Sequence, residues 1–500
     1  MRMKKFFRKY HKWLGVSLAL LLILFSLSGI VLNHRDLFSS VDVSRSVMPG
    51  VYRYTNWNNA AVRGSLRLSP DSLLLYGNVG VWLTDNHGRH FTGYNAGFPK
   101  GIDNRKIFKL LKSDQGLLAA TLFGLYRYDP RHHRWLKLQL PVAEENVVDL
   151  LTRDSCVWIM TRSHLLSTTD LQHFRLIQLP EPEGYDHKVG LFKTLWVIHS
   201  GEIYGRVGKL LVDGVALIFI FLSVGGVVLL VSRRNVKRLK AFRERRERNK
   251  KRYQWNLKWH NKVGWFSAVL LIVTVLTGSF LRPPLLIAIG DARVSKIPNT
   301  ELDTPNPWFD LLRRIIYIPD QNRYFISTSE GFYSFDADFR SKAQKLSSQP
   351  PVSVMGLNVL DTLGTRRLLI GSFEGLFSWD YSSGSVFDLM KNKPYVPPVR
   401  KGPPVGDYKI TGYSADFGNH PFAFEYVQGA VGVNHKSPFC AMPDSVLKVA
   451  PMSLWNVALE VHTARVYGAL IGNLYVLIIP LAGLLVLFII VSGLVLYKRK

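Results

Sequence analysis

Two stretches of this chain nearly repeat two others, and each of the four stands beside a long apolar run. Tyr10–Gly15 and Trp259–Gly264 share the pattern aromatic, His, two residues, aliphatic, Gly. His199–Gly205 and His462–Gly468 share the pattern His-Ser/Thr-x-x-Ile/Val-Tyr-Gly. Because the same motifs recur in the same order, the sequence indicates one membrane unit written twice, with one histidine at each matched position.

The apolar runs are long enough to cross a bilayer. They are Trp13–Leu32, Gly214–Ser232, Val263–Leu281 and Val466–Tyr497, and about 20 apolar residues cross the hydrocarbon core. A single buried core helix can imitate such a run, but four of this length favour membrane spans. The first run resembles a secretory signal, yet it continues beyond the small residues Ser26 and Ser28 to Leu32, so we expect an uncleaved helix.

The positive charge is concentrated beside these runs. Of the 64 Lys and Arg residues, 23 lie in the segments 1–12, 233–262 and 498–500, which hold only two acidic residues. This positive-inside pattern predicts a multi-pass membrane protein with both termini in the cytoplasm and two long extracytoplasmic loops. The basic segments therefore favour contact with the lipid bilayer over nucleic-acid binding.

A shorter pattern recurs inside both long loops: Gly, apolar, aromatic, two residues, Asp. The clear copies are Gly80–Asp85, Gly124–Asp129, Gly331–Asp336 and Gly375–Asp380, and a degenerate copy ends at Asp170. The aspartates lie 44, 41 and 44 residues apart within the loops, and such a period with strand-like content is typical of propeller blades. We expect each Gly to open a strand and each Asp to start a hairpin turn.

The blade pattern predicts how the two loops combine. Three blades alone would leave sheet edges open. We therefore expect both loops to form one propeller of about six blades, including a weak one around Tyr408–Val433. Two separate small β domains are the alternative.

The expected fold is an α + β membrane protein. It has four transmembrane helices in two parallel repeats and an all-β, propeller-like extracytoplasmic region built from two inserts. The predicted segments are 1–33 (N-terminus and first helix), 34–195 (about three blades), 196–232 (second helix), 233–258 (basic cytoplasmic linker), 259–285 (third helix), 286–450 (two to three blades) and 451–500 (fourth helix and C-terminus).

The matched histidines suggest a metal cofactor between the two halves. If a two-fold axis along the membrane normal relates the halves, His11 faces His260 and His199 faces His462. A six-coordinate haem takes two such imidazoles, and His34 is a further candidate without a twin. Alternatively, interfacial histidines bond a phosphate or a carbonyl, and a duplication also copies a structural histidine.

The position of His199 requires a bend in the chain. On a straight helix, His199 would stand roughly 20 Å above Gly214. A break at Gly201 or Gly205 would lower it toward the membrane. Asp213 is a lone carboxylate near the membrane, and a proton-relay role for it has little support because the second half has no matched acid.

The helix motifs resemble the PepSY-associated transmembrane family of bacterial envelope proteins. The resemblance rests on His11–Gly15, on the pairs Ser28-Gly29 and Thr277-Gly278, and on the His-Ser/Thr-x-x-Ile/Val-Tyr-Gly motif. It implies an inner-membrane protein of iron uptake, with one or two b-type haems held by His11, His260, His199 and His462. The propeller-like inserts look like the Bacteroidetes version, and no PepSY module is recognisable in the loops.

The resemblance implies a haem-dependent ferric-chelate reductase. Electrons would pass from a cytoplasmic or membrane donor to ferric iron or a ferric-siderophore complex outside, without an acid–base catalytic residue. The alternative is a non-enzymatic sensor or scaffold whose propeller binds a ligand or an envelope protein of an uptake system. A transporter is a third reading, but mid-membrane features other than Pro480 are lacking.

Overall fold

The computed structural model describes residues 2–238, 243–353, 355–397, 406–418, 420–448 and 450–497. The chain divides into two compact units. The first, termed the helical unit, comprises Met1–Phe38, His187–Thr304 and Leu454–Lys500. The second, termed the sheet unit, comprises Ser39–Asp186 and Pro305–Ser453, so both long loops contribute to one compact unit.

Among its described residues, the helical unit contains four helical segments that are long and apolar enough to cross a membrane. These segments are Met3–Asn33, Glu202–Asn235, Glu244–Phe280 and Arg465–Leu496. They carry the four apolar runs that the sequence predicts as spans. The helices of this unit are α1 (Arg2–Asn33), α2 (Leu191–Ser200), α3 (Gly205–Arg238), α4 (Arg243–Phe280), α5 (Leu285–Ile289), α7 (Leu454–His462), α8 (Gly468–Ile471) and α9 (Ile478–Leu496).

The long helices pack side by side. Helix α1 contacts α3 and α9, and α4 contacts the same two helices. The short helix α7 lies on α1, and α2 lies on α4. The short strands β14 (Lys188–Gly190) and β15 (Arg293–Ser295) pair in an antiparallel ladder beside α2.

Two local features of the helices differ from the sequence expectations. The predicted basic linker, 233–258, is helical at both ends, because α3 continues to Arg238 and α4 begins at Arg243; residues 239–242 lie outside the described part. The fourth apolar run is not one continuous helix. It contains two 3₁₀ turns and α8 before α9, where Pro480 occupies the first turn, a place in which proline costs no backbone hydrogen bond.

The sheet unit consists mainly of six antiparallel sheets, each formed by consecutive strands. The first contains β2 (Gly64–Ser69), β3 (Ser72–Gly77), β4 (Gly80–Asp85) and β5 (Phe91–Gly93). The second contains β6 (Ile107–Ser113), β7 (Gly116–Thr121), β8 (Gly124–Asp129) and β9 (Arg134–Leu138). The third contains β10 (Val147–Arg153), β11 (Cys156–Thr161), β12 (Leu165–Thr168) and β13 (Arg175–Ile177).

The second half of the sheet unit repeats this arrangement. The fourth sheet contains β16 (Leu312–Ile318), β17 (Arg323–Thr328), β18 (Gly331–Asp336) and β19 (Gln344–Lys345). The fifth contains β20 (Leu357–Thr362), β21 (Arg367–Ser372), β22 (Gly375–Asp380), β23 (Val386–Asp388) and β24 (Lys393–Pro394). The sixth contains β25 (Ile410–Ser414), β26 (Phe422–Glu425) and β27 (Gly429–Gly432). Strands β1 (Asp42–Val43) and β28 (Met452–Ser453) pair near the two ends of the unit, and α6 (Asp444–Lys448) precedes β28.

Apolar side chains fill the spaces between neighbouring sheets. Each sheet packs against the next, and the sixth packs against the first. For example, Tyr76 of the first sheet and Trp135 of the second share one buried cluster, while Leu73 of the first sheet and Phe424 of the sixth share another. The alternation of apolar residues along the strands thus supplies two packing faces for every sheet.

The repeated Gly-to-Asp motif is the third strand of four sheets. Strands β4, β8, β18 and β22 have the same bounds as the four copies found in the sequence. The aspartate at the end accepts hydrogen bonds from the turn that follows: Asp380 accepts from the backbone N–H groups of Ser382 and Ser383, both at 2.9 Å. These bonds hold the pKa of Asp380 below its usual range. The aspartate therefore starts the turn, as expected from an Asx motif.

One buried arginine joins four sheets. Arg314 of β16 donates to the carbonyl oxygens of Phe108 (3.1 Å), Val148 (3.1 Å) and Asn358 (3.0 Å). These three residues lie in the first strands of three other sheets. Arg314 also bonds the Asp149 carboxylate at 3.1 Å. Because Arg314 and Asp149 are both buried, this network fixes the first strands of the sheets relative to one another.

Candidate functional site

The structure brings the matched histidines together as two pairs within the helical unit. The ring centroids of His11 and His260 lie 6.3 Å apart with an interplanar angle of 87°. Those of His199 and His462 lie 6.0 Å apart at 50°. Each pair joins one histidine from each half of the chain. These are the pairs that the repeated motifs group together.

Helix α9 supports the ring of His11. The Nδ1 atom of His11 lies 3.0 Å from the Ile489 carbonyl oxygen and 2.9 Å from the Ser492 hydroxyl. A Cβ added to Gly493 would stand 3.2 Å from His11 Cε1. The small residue at 493 therefore lets the ring rest directly on the backbone of α9.

Helix α3 supports the ring of His260. A Cβ at Gly225 would stand 3.4 Å from His260 Nδ1 and 3.2 Å from the Asn256 side-chain oxygen. The amide nitrogen of Asn256 donates to the Gly225 carbonyl at 3.0 Å. His260 Nδ1 is buried and has no hydrogen-bond partner among the described residues. A buried ring nitrogen without a hydrogen-bond partner is destabilising, and this distinguishes His260 from His11, whose Nδ1 is bonded.

The second pair is built in the same way, since each histidine again packs on a helix from the other half of the chain. His199 Nδ1 lies 3.0 Å from the Thr274 carbonyl oxygen of α4. His462 Nδ1 lies 2.9 Å from the Phe25 carbonyl oxygen of α1 and 3.1 Å from the Ser28 hydroxyl. The rings rest on Gly278 and Gly29, where an added Cβ would approach Cε1 to 2.6 and 3.3 Å. The pairs Thr277-Gly278 and Ser28-Gly29 thus form the surface on which the two rings pack.

The helix is interrupted after His199 and again after His462, and these interruptions bring the two rings onto the glycines. Two residues after each histidine the backbone is left-handed, with φ of 80° at Gly201 and 60° at Ala464, and a 3₁₀ turn follows. The Gly201 position is tightly packed, since an added Cβ would meet the Gly208 carbonyl oxygen at 2.2 Å. The break expected at Gly201 or Gly205 is therefore present, and the straight-helix geometry that would lift His199 away does not occur.

The hydrogen bonds define the chemistry that these rings can perform. A carbonyl oxygen only accepts, so Nδ1 of His11, His199 and His462 carries the proton in the neutral ring. Their Nε2 atoms have no hydrogen-bond partner among the described residues. A neutral imidazole with a fixed Nδ1–H and an open Nε2 lone pair is the usual form of a metal-ligating histidine.

The two pairs fit a group that brings most of its own ligands. Two imidazole nitrogens at about 2 Å on opposite sides of one metal place the ring centroids about 6 Å apart. Within the described part of the chain, no group of three or more His, Cys, Asp or Glu side chains could hold a metal ion. A haem iron needs only two axial ligands, because the porphyrin supplies the rest, so the histidines present fit this group.

His34, the candidate ligand without a twin, contacts a carboxylate. Its Nε2 atom donates to the Asp213 carboxylate at 2.6 Å. Asn33 donates to the same carboxylate at 3.3 Å and to the Ser200 carbonyl oxygen at 3.1 Å. His34 and Asn33 therefore take part in a hydrogen-bond network that joins α1, α2 and α3.

The sequence motifs contained part of the information about this site. The histidines and the Ser28-Gly29 and Thr277-Gly278 pairs are visible as repeats. The supporting role of Gly225, Gly493 and Asn256 is not visible in the sequence. The two glycines lie in apolar runs that contain other glycines without such contacts. Gly15 and Gly214, for instance, face open space.

Residues 178–500 match the family model described as the PepSY-associated TM region. The match covers more than half of the chain, including α2, α3, α4 and α9, so the chain belongs to the PepSY-associated TM family. The resemblance inferred from the histidine motifs is thereby confirmed. The search of curated proteins found no match.

The chain also resembles several solved structures at low identity. The extracellular domain of a one-component system from B. thetaiotaomicron shares 9% identity with a TM-score of 0.37, covering 75% of this chain and 33% of that one. A hybrid two-component system domain from the same organism shares 12% identity, with a TM-score of 0.34, covering 76% and 40%. The N-terminal domain of Nup159 shares 8%, with a TM-score of 0.32, covering 78% and 93%. This chain thus spans about a third of the first relative, and at these TM-scores no argument rests on the likeness.

Proposed function

We propose that this protein is a haem-containing electron-transfer protein that reduces ferric iron or ferric-siderophore complexes. The observation that carries the proposal is the pairing of histidines across the two halves, with ring centroids 6.3 and 6.0 Å apart. Each pair would hold one b-type haem. Bound haem would supply one-electron chemistry through its iron.

The protein's own residues would orient and tune the ligands. The carbonyl groups of Ile489, Thr274 and Phe25 fix the tautomer of three rings and make their Nε2 atoms more basic. His260 lacks such a partner, so we expect it to be the weakest ligand of the four. Electron transfer needs no acid–base residue, which is consistent with the absence of a catalytic constellation in the motifs.

The charge pattern supports a direction for the electron path. If the basic segments lie in the cytoplasm of a bacterial inner membrane, His11 and His260 are near the inner face. His199 and His462 are then nearer the extracytoplasmic side. Electrons would enter from a cytoplasmic or membrane donor at the first pair and leave from the second, along two parallel repeats of one membrane unit.

The sheet unit would form the extracytoplasmic part. We propose that its six sheets are the blades of a propeller, because each sheet packs on the next and the sixth packs on the first. Arg314, which bonds three other sheets, supports this arrangement. Such a domain would bind the ferric chelate or an envelope protein of the uptake system.

An absorbance spectrum of the full purified chain, oxidised and then reduced, tests the proposal. We expect a Soret band and reduced α and β bands of a b-type haem. His260→Ala and His462→Ala should each remove part of this absorbance, while His90→Ala, an exposed histidine of the sheet unit, should leave it unchanged. Circular dichroism and gel filtration establish that the variants are folded.

A folded, colourless protein would overturn the haem proposal. That outcome would favour the second candidate, a non-enzymatic sensor or scaffold anchored by its helices. The observation in favour of this candidate is the sheet unit itself, which combines both inserts into one body with extensive surface.

A further inference from the structure

A cationic cluster lies next to the His199/His462 pair. Arg282 follows the end of α4 and hydrogen-bonds Tyr475, and Arg465 and Glu460 lie within electrostatic range of it. His462 is also within electrostatic range of Arg282. The repeated motifs assign no role to these arginines.

The cluster contains more positive than negative charge. Arg465 bonds the Glu460 carboxylate at 2.5 Å, and the Glu460 side chain is only 9% exposed. The partner of Arg282, Tyr475, is a neutral phenol. The Nε atoms of both arginines are buried and lack hydrogen-bond partners among the described residues. Two guanidinium groups therefore share one carboxylate, which leaves donors and charge available for an anion.

The equivalent position in the other half has the opposite character. Alignment of Ser28-Gly29 with Thr277-Gly278 places Asn33 opposite Arg282. Asn33 donates to the Asp213 carboxylate, which also pairs with His34. The residue at the first position is thus bonded to a carboxylate, whereas Arg282 forms no ion pair with a carboxylate among the described residues. An anion would be repelled by the Asp213 carboxylate and attracted by the Arg282 guanidinium group.

We propose that Arg282, assisted by Arg465, binds the propionate carboxylates of the haem held by His199 and His462. The inference rests on the proposed function and deepens it by fixing the orientation of that haem. A guanidinium group matches a carboxylate through two parallel N–H donors, and this match is strongest where water is excluded. Arg282 acts as a positioning residue, since it touches the edge of the cofactor and leaves its iron to the histidines.

The test compares Arg282→Gln and Arg282→Lys with Arg206→Gln, an exposed arginine in the same unit. Haem content per protein and the reduction potentials are measured by absorbance on the full chain, and His462→Ala identifies the bands of this site. Loss of the Arg282 charge stabilises the ferric state, so Arg282→Gln should lower the potential of this haem or release it. Release would reduce total haem by about half if two haems are bound. Arg282→Lys should keep much of the potential but hold the haem less firmly, because an ammonium group is a point charge.

The outcomes separate the two proposals. A wild-type protein without a Soret band removes the proposed function and this inference together. A wild-type protein that has the band, with Arg282→Gln equal to Arg206→Gln in haem content and potential, overturns only the role of Arg282. A change confined to the bands that His462→Ala removes supports it.

Discussion

The imidazole of His199 lies directly against the backbone of Gly278, where a Cβ atom would stand 2.6 Å from Cε1. The same relationship joins His462 to Gly29 at 3.3 Å. In both cases the histidine comes from one half of the chain and the glycine from the other. The histidine positions therefore depend on glycines at fixed places in the facing helices.

Alanine at Gly278 should displace His199. Because the clash falls on the ring, we expect loss of the absorbance due to the His199/His462 site and a destabilisation of about 1–3 kcal/mol. Gly29→Ala should have a smaller effect of the same kind, since its contact is longer. Absorbance spectra and thermal unfolding in detergent measure both quantities.

The matched controls for this prediction are Gly15→Ala and Gly214→Ala. Both lie in membrane helices and face open space, so alanine there should be neutral or stabilising by up to about 1 kcal/mol. If Gly278→Ala behaves like these controls in both measurements, the close packing of His199 on α4 is not needed to hold the ring.

Substitutions at the two helix interruptions, Gly201 and Ala464, should change the melting temperature in opposite directions. Gly201→Ala introduces a side chain at φ 80° and against the Gly208 carbonyl oxygen, so the melting temperature should fall. Ala464→Gly should raise it, because a left-handed alanine costs about 1–2 kcal/mol, a part of which is offset by the greater freedom of glycine in the unfolded chain. Equal signs in thermal unfolding would contradict the equivalence of the two breaks.

Removal of the Arg314 side chain should destabilise the sheet unit. In Arg314→Met the Asp149 carboxylate remains buried without its cation, and breaking a buried pair in this way costs about 3–5 kcal/mol. The double variant Arg314→Met with Asp149→Leu should recover part of the loss. Urea unfolding followed by tryptophan fluorescence gives the values, and Arg340→Met, at an exposed site, is the control. Additive effects of the two single changes would contradict the coupling.

The turn aspartates should make the sheet unit sensitive to acid. Backbone N–H donors hold the pKa of Asp170 and of Asp380 below the usual value. A lowered folded-state pKa means that the stabilisation is present above the unfolded pKa of about 3.9 and is lost as pH falls through the lower folded value. Melting temperatures measured between neutral pH and strong acid should therefore decline below about pH 4.

Asparagine is the matched replacement at these turns. Asp380→Asn keeps the oxygen that accepts from Ser382 and Ser383 but does not titrate. The variant should therefore show a shallower acid decline than the wild type while keeping most of its stability at neutral pH. Identical pH profiles for the two proteins would mean that this carboxylate contributes nothing to the acid response.

Features that depend on local sequence patterns could be predicted. The four apolar runs lie on helices long enough to span a membrane, and the Gly-to-Asp repeats coincide with the third strands of four sheets. The His11/His260 and His199/His462 pairs could be grouped from the repeated motifs alone. The two inserts form one compact unit, a result that the blade pattern favoured over two small domains.

Other features could not be predicted from sequence patterns. The contact of His34 with Asp213 could not be predicted, because the two residues are 179 positions apart and Asp213 has no matched acid in the other half. The fourth apolar run reads as one helix, yet it is interrupted before α9. Arg314 looks like any arginine in a strand, although it bonds three other sheets.

Taken alone, the sequence determined where the chain enters an apolar environment, where strands alternate and which histidines are related. The hydrophobic periodicity, the charge clusters and the repeated motifs carry that information because each is a pattern formed by neighbouring residues. Only the tertiary structure decided which glycine receives each imidazole, which carbonyl fixes its proton and which arginines lack a counter-charge. These properties arise from contacts between residues that are far apart in the chain, for example 75 positions for His199 and Thr274 and 481 for His11 and Ser492, and their energy depends on distance in space.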